Sequence, residues 1–85
     1  MTPNIEIDPI NKTIYLKFHD GLCDRTINFM GREDVMVDLS KDGKLLGLEI
    51  LNIDIPRSVL SRLAITYRTP FLKKFHPEKV ADLVA

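Results

Sequence analysis

The chain has 85 residues, 45% hydrophobic and 28% charged, a balance that fits one ordinary globular domain over 1–85 and excludes a disordered or fibrous chain. No apolar run approaches the ~18 residues that a membrane-spanning helix needs, and a lone cysteine, Cys23, excludes a disulfide framework. The formal charge is zero, yet residues 1–53 carry net −3 and residues 54–85 net +3. The split marks two segments of different chemistry.

The amino end, "MTPNIEIDPI", lacks a basic start followed by an apolar stretch. No secretory signal is expected, and with this cysteine usage the cytoplasm is the expected compartment. A domain this small buries only about 60–65% of its unfolded surface, so association would add useful burial.

Residues 1–53 alternate polar and apolar with period two, the pattern of half-buried strands. Ile5 and Ile7 share a face, and the apolar set resumes after "DPINK" as Ile14, Leu16 and Phe18. A loop over 9–12 opposes Asp8 to Thr13 and Ile7 to Ile14. Asp20-Gly21 is a two-residue hairpin signal. It would pair Phe18 with Cys23, Ile14 with Ile27, and Lys17 with Asp24 as a cross-strand ion pair. That register also sets Arg25 on the apolar face, where only a bulge or a snorkelling stem accommodates it.

The stretch "VDLSKDGKLLGLEILNI" reads as a second hairpin around Asp42-Gly43. A two-residue loop opposes Leu39 to Leu46, Val37 to Leu48 and Val35 to Ile50, collecting six aliphatic side chains on one face. A three-residue loop would scatter them, because a one-residue slip swaps faces. The two-residue register is therefore expected, with Leu22, Met36, Leu45 and Leu51 on the outer face.

From Asp54 the spacing turns helical, with Ile55, Val59, Leu60, Leu63, Ala64 and Tyr67 on one side. Asp54 is the expected N-cap, and Thr69-Pro70 should end the helix. Two shorter helical pieces follow, one with Phe71, Leu72 and Phe75 apolar, the other with Val80, Leu83 and Val84. The expected fold is α+β: an antiparallel β-meander of about five strands over 1–53, with the helical segment 54–85 packed on one face.

"DPINKTIYLKF" followed by "VMVDLSKDGKLLGLEIL" resembles the small prokaryotic family known as domain of unknown function 2283, over about residues 5–53. The positions that carry it are Tyr15, Val37, Asp38, Gly43, Gly47, Glu49, Ile50 and Leu51. Lys12-Thr13 and Ser40-Lys41 stand where acidic residues are usual in the family. The resemblance implies the strand pattern and no established activity, ligand or catalytic residue. Some relatives are thought to be encoded beside small toxin-like proteins, so the resemblance leaves open an antitoxin-type or regulatory role with a small protein partner.

On the outer face the expected registers align Tyr15, Thr26, Asp38 and Gly47 in one row, with Thr13, Asn28, Met36 and Glu49 beside it. Two carboxylates and a phenol around a glycine offer acceptors for a ligand amine, a cation or a partner's basic side chain. The plain alternative is that Gly47 permits a close backbone approach and the carboxylates keep the face soluble. An acid/base pair would need environments that drive two pKa values apart, and an open sheet face supplies little burial.

His19, Cys23 and His76 lack the paired spacing of a zinc site, and the glycines are isolated. No cofactor, metal or catalytic residue is therefore expected. Arg68, Lys73 and Lys74 allow a nucleic-acid alternative, although they form no tight stripe. The leading expectation is a non-enzymatic interaction module that homodimerises through its tail helices, its edge strands or both, with no membrane association.

Overall fold

A computed structural model describes residues 2–82. Five strands come first: β1 (Asn4–Asp8), β2 (Thr13–Lys17), β3 (Arg25–Asn28), β4 (Val35–Leu39) and β5 (Leu45–Ile50). A 3-10 turn, Phe29–Gly31, lies between β3 and β4, and three helices follow: α1 (Arg57–Thr66), α2 (Phe71–Lys74) and α3 (Pro77–Asp82). The fold is α+β, a five-stranded antiparallel sheet with carboxy-terminal helices, as expected. Its strand order is β1-β2-β5-β4-β3 rather than that of a meander.

Apolar content accounts for this order. The central strands β2, β5 and β4 supply Ile14, Leu16, Val35, Val37, Leu48 and Ile50, each at most 1% exposed. The edge strands are poorer: "NIEID" has two aliphatic residues and "RTIN" has one. Placing the richest strands under the helices buries the most apolar surface, which is the main driving force for layering. Val59, Leu60, Leu63 and Ala64 of α1, with Leu72 and Phe75 beyond it, complete the same core.

The β2–β3 hairpin expected at Asp20-Gly21 therefore does not form. Residues 18–24 instead cross the ends of β5 and β4. Phe18 N and His19 N both donate to Leu46 O (2.8 and 3.2 Å), and Asp24 N donates to Leu39 O (2.8 Å). Three strand spacings are about 14 Å, within reach of seven extended residues. Lys17 pairs with Asp20 (3.0 Å), not Asp24. Cys23, expected opposite Phe18 on the apolar face, is exposed. Arg25 keeps the apolar side, opposite Leu39, but on an edge strand, where its guanidinium reaches out to Asp24 Oδ2 (3.2 Å) and Ser40 O (3.4 Å), the snorkelling alternative.

The local hairpins hold better. β1 and β2 pair Ile7 with Ile14 and Asp8 with Thr13, as expected. In β4–β5, Val37 opposes Leu48 and Val35 opposes Ile50 in the expected register. Nearer the tip the loop is nevertheless three residues long, 41–43, with Ser40 N on Lys44 O (2.9 Å) and Gly43 at φ +82°. A β-bulge between Asp38 and Leu39, where Leu46 is the extra residue on β5, reconciles the two registers. The extra residue moves Leu45 into the core and leaves Leu46 buried outside that cluster, beside Gly21, reversing their expected faces.

Asp54 is not the N-cap. Pro56, at φ −61° and ψ 143°, holds the chain extended until Arg57, and Asp54 N instead donates to Asn52 Oδ1 (3.0 Å). α1 stops before Thr69-Pro70 as expected. Thr69 N reaches back to Ala64 O (2.9 Å) while Arg68 adopts φ +53°. This is a Schellman-type end with arginine where glycine is usual. Arg57 then ties α2 down by donating to Phe75 O and to Lys73 O (2.6 Å). Leu83 and Val84 lie outside the described residues.

Candidate functional site

No element among the described residues covers the outer face of the sheet, and its side chains follow the observed strand order. One row runs Lys17, Gly47, Asp38, Thr26, and the next runs Glu6, Tyr15, Glu49, Met36, Asn28. Tyr15 thus stands beside Glu49 rather than in the row of Asp38, as the expected registers had it. It reaches Asp38 all the same. Its ring leans across Gly47, and Oη donates to Asp38 Oδ2 at 2.8 Å. A Cβ built on Gly47 would lie 1.8 Å from that Oη, so only glycine admits the ring.

Thr26 Oγ1 donates to the other carboxylate oxygen, Asp38 Oδ1, at 2.6 Å. Asp38 on β4 therefore accepts from β2 and β3 at once, and the first of these bonds spans β5. Cys23 Sγ lies 3.7 Å from Thr26 Oγ1 and 3.4 Å from Arg25 O, at the rim of this network. Partial burial pushes the Tyr15 phenol pKa well up, and its hydrogen bond to Asp38 and that group's charge act in the same direction. The phenol thus keeps its proton and acts as a donor.

Glu49 takes no part in the network among the described residues. It borders an open depression of about 280 Å³ that Glu6, Asp8, Thr13 and Tyr15 also line. Asp8 is engaged in its own turn, accepting from Ile10 N (3.0 Å), Asn11 N (3.2 Å) and Asn11 Nδ2 (2.8 Å). The bonds from Asn11, chiefly, hold its carboxyl below the ordinary value. Among the described residues no three His, Cys, Asp or Glu side chains are grouped to hold a metal ion. His19 Nδ1 meets Leu45 O (3.0 Å) and His76 Nδ1 meets Glu78 Oε1 (3.2 Å).

Of the site residues expected from sequence, Tyr15, Asp38 and Gly47 thus meet, and Glu49 stands beside them. Thr26 had been placed in the row but not as the second donor, and nothing in the sequence marks it as one. Arg68 occupies the corner after α1, while Lys73 and Lys74 are exposed on the last turn of α2. No helix among the described residues is long and apolar enough to cross a membrane.

A family model described as "Protein of unknown function (DUF2283)" matches residues 4–53, the whole sheet without the helices. No curated protein and no solved structure matches the chain.

Proposed function

The chain belongs to the DUF2283 family of proteins of unknown function, and from that premise we propose a non-enzymatic interaction module that pairs with a second copy of itself along β3. The observation that carries this reading is the state of that edge strand. All four residues of β3 are exposed, and Ile27, on the helix-covered side, keeps 37% of its surface in water. Leu22 and Met30, which flank the strand, are 92% and 61% exposed. An exposed edge strand flanked by apolar side chains is a template for strand addition.

The opposite edge is less suited. β1 is bracketed by Pro3 and Pro9, and a two-fold centred on Glu6 would set two glutamates against each other. A two-fold centred on Ile27 sets that residue against its counterpart and Thr26 against Asn28, with no like charges opposed. Closed two-fold pairing of this kind is the commonest form of self-association.

The Tyr15–Asp38 network supports a structural use of the outer face over an enzymatic one. Both oxygens of Asp38 already accept hydroxyl donors, and the phenol holds its proton, so neither is poised for proton transfer. A ligand role for Tyr15, Asp38, Gly47 and Glu49 has correspondingly less support. A small protein partner would use the same β3 backbone groups, in competition with self-pairing.

Size-exclusion chromatography with light scattering tests the reading. The expected result is a dimer mass at micromolar concentration that falls to the monomer mass in Ile27→Lys, because an edge lysine blocks strand addition. A monomer mass for the unaltered chain across that range overturns it.

A further inference from the structure

An open cleft of about 380 Å³ lies between the tip of the β4–β5 hairpin and the corner joining α1 to α2, independent of β3 and of the Tyr15–Asp38 network. Three separate parts of the chain deliver nitrogen-bearing side chains to it: His19 from the crossing, Lys44 from the hairpin and Arg68 from the helix corner. No Asp or Glu lines it. Lys44 and Arg68 have no ion-pair partner among the described residues, so both charges are available to a ligand.

Two further features lie at the same corner, the second a left-handed backbone that Lys12 and Met30 share. Thr69, on the cleft wall, holds a buried hydroxyl oxygen that has no hydrogen-bond partner among the described residues. Its neighbour Arg68 sits at φ +53°, a left-handed conformation that glycine adopts without strain and arginine does not. The helix end would form more easily with glycine. What arginine adds at this position is a guanidinium on the wall of a cleft that already holds an unpaired lysine.

We propose that this cleft binds a small phosphate-bearing anion, with Arg68 and Lys44 as its charge partners. A guanidinium fork matches phosphate oxygens in pairs, and an ammonium adds a point charge. The Nδ1 contact with the Leu45 carbonyl fixes the His19 ring and leaves Nε2 as its remaining polar atom. Tyr67 and Thr69 also line the site, the Thr69 hydroxyl oxygen being buried in its wall. A volume near the low end of ligand pockets suits a small molecule rather than a polymer, and Lys73 and Lys74, which a nucleic-acid strand would use, are not among the residues lining the cleft.

The test is a titration of the isotope-labelled full chain with inorganic phosphate, followed by amide chemical shifts, with chloride at matched ionic strength as the reference. Saturable shifts are expected at residues 43–45 and 67–69, with affinity reduced at least tenfold in Arg68→Gly and in Lys44→Gln. Arg68→Gly should fold at least as well as the parent, so weakened binding there cannot be ascribed to unfolding; its thermal midpoint checks this. Absence of saturable shifts overturns the proposal, as does equal affinity in Arg68→Gly. A single-stranded oligonucleotide that binds more tightly than phosphate, and whose shifts extend to Lys73 and Lys74, also overturns it in favour of nucleic acid.

Discussion

A methyl group placed on Gly47 would fall 1.8 Å from Tyr15 Oη and 2.4 Å from Cζ, and the ring cannot yield by that much without leaving Asp38. Gly47→Ala should therefore cost about 1–3 kcal/mol, combining overpacking with a lost hydrogen bond to a carboxylate. Urea unfolding measures this. In a double-mutant cycle, Tyr15→Thr should recover part of the loss, since the shortened side chain no longer occupies the space. Additive effects of the two substitutions would show that the ring is not what excludes alanine. The sequence itself marks Gly47 as a site of close backbone approach, because glycine inside a strand has few other uses. It does not reveal what approaches, since Tyr15 comes from a strand whose pairing with β5 no local signal announces. Arg68 hides in a similar way: its spacing reads as one more helical surface charge, and only backbone angles expose the strain.

The turn into β4 is fastened by a bidentate pair in which Arg32 Nε and Nη2 donate to Asp34 Oδ1 and Oδ2, both at 2.8 Å. The guanidinium holds the Asp34 carboxyl below its ordinary value, against a smaller opposing effect of burial. A carboxyl with a depressed folded-state pKa contributes stability above its unfolded value, near 3.9, and loses it as pH falls through the folded value. Unfolding free energy should accordingly decline as pH drops below about 4, and the decline should be shallower in Asp34→Asn. That variant should also be less stable than the parent at pH 7. Equal acid limbs in the two proteins would remove the pair from the account.

The strands also show which kinds of pairing sequence can reveal. β1–β2 and the body of β4–β5 follow from turn chemistry and alternation, because their partners are adjacent in the chain. Asp20-Gly21 carries an equally good turn signal, yet it becomes a crossing because pairing across the sheet is decided by where the aliphatic strands bury most surface. Arg25 opposite Leu16 was the visible misfit, and the structure relieves it by placing Arg25 on an edge strand opposite Leu39. The bulge at Leu45–Leu46 left no such trace, since two adjacent leucines satisfy either register.

For the whole molecule, the family match ends at residue 53 but the core does not. Leu60, Leu63 and Leu72 are fully buried in the same cluster as Val35, Val37 and Leu48. Uncovering a large aliphatic side chain forfeits about 1.5–3 kcal/mol, and a small domain has little stability in reserve. A fragment of residues 1–53 should therefore show no cooperative unfolding transition by circular dichroism at micromolar concentration. A sharp transition in that fragment would mean that the sheet stands without its helices.

The position of β5 bears on how the chain assembles as it is made. The last strand to be synthesised wedges between two earlier ones, so each completed hairpin must wait with a sticky flank until it arrives. Order of manufacture and order of closure run against each other, and any pause before residue 50 leaves two half-sheets with nothing to join them.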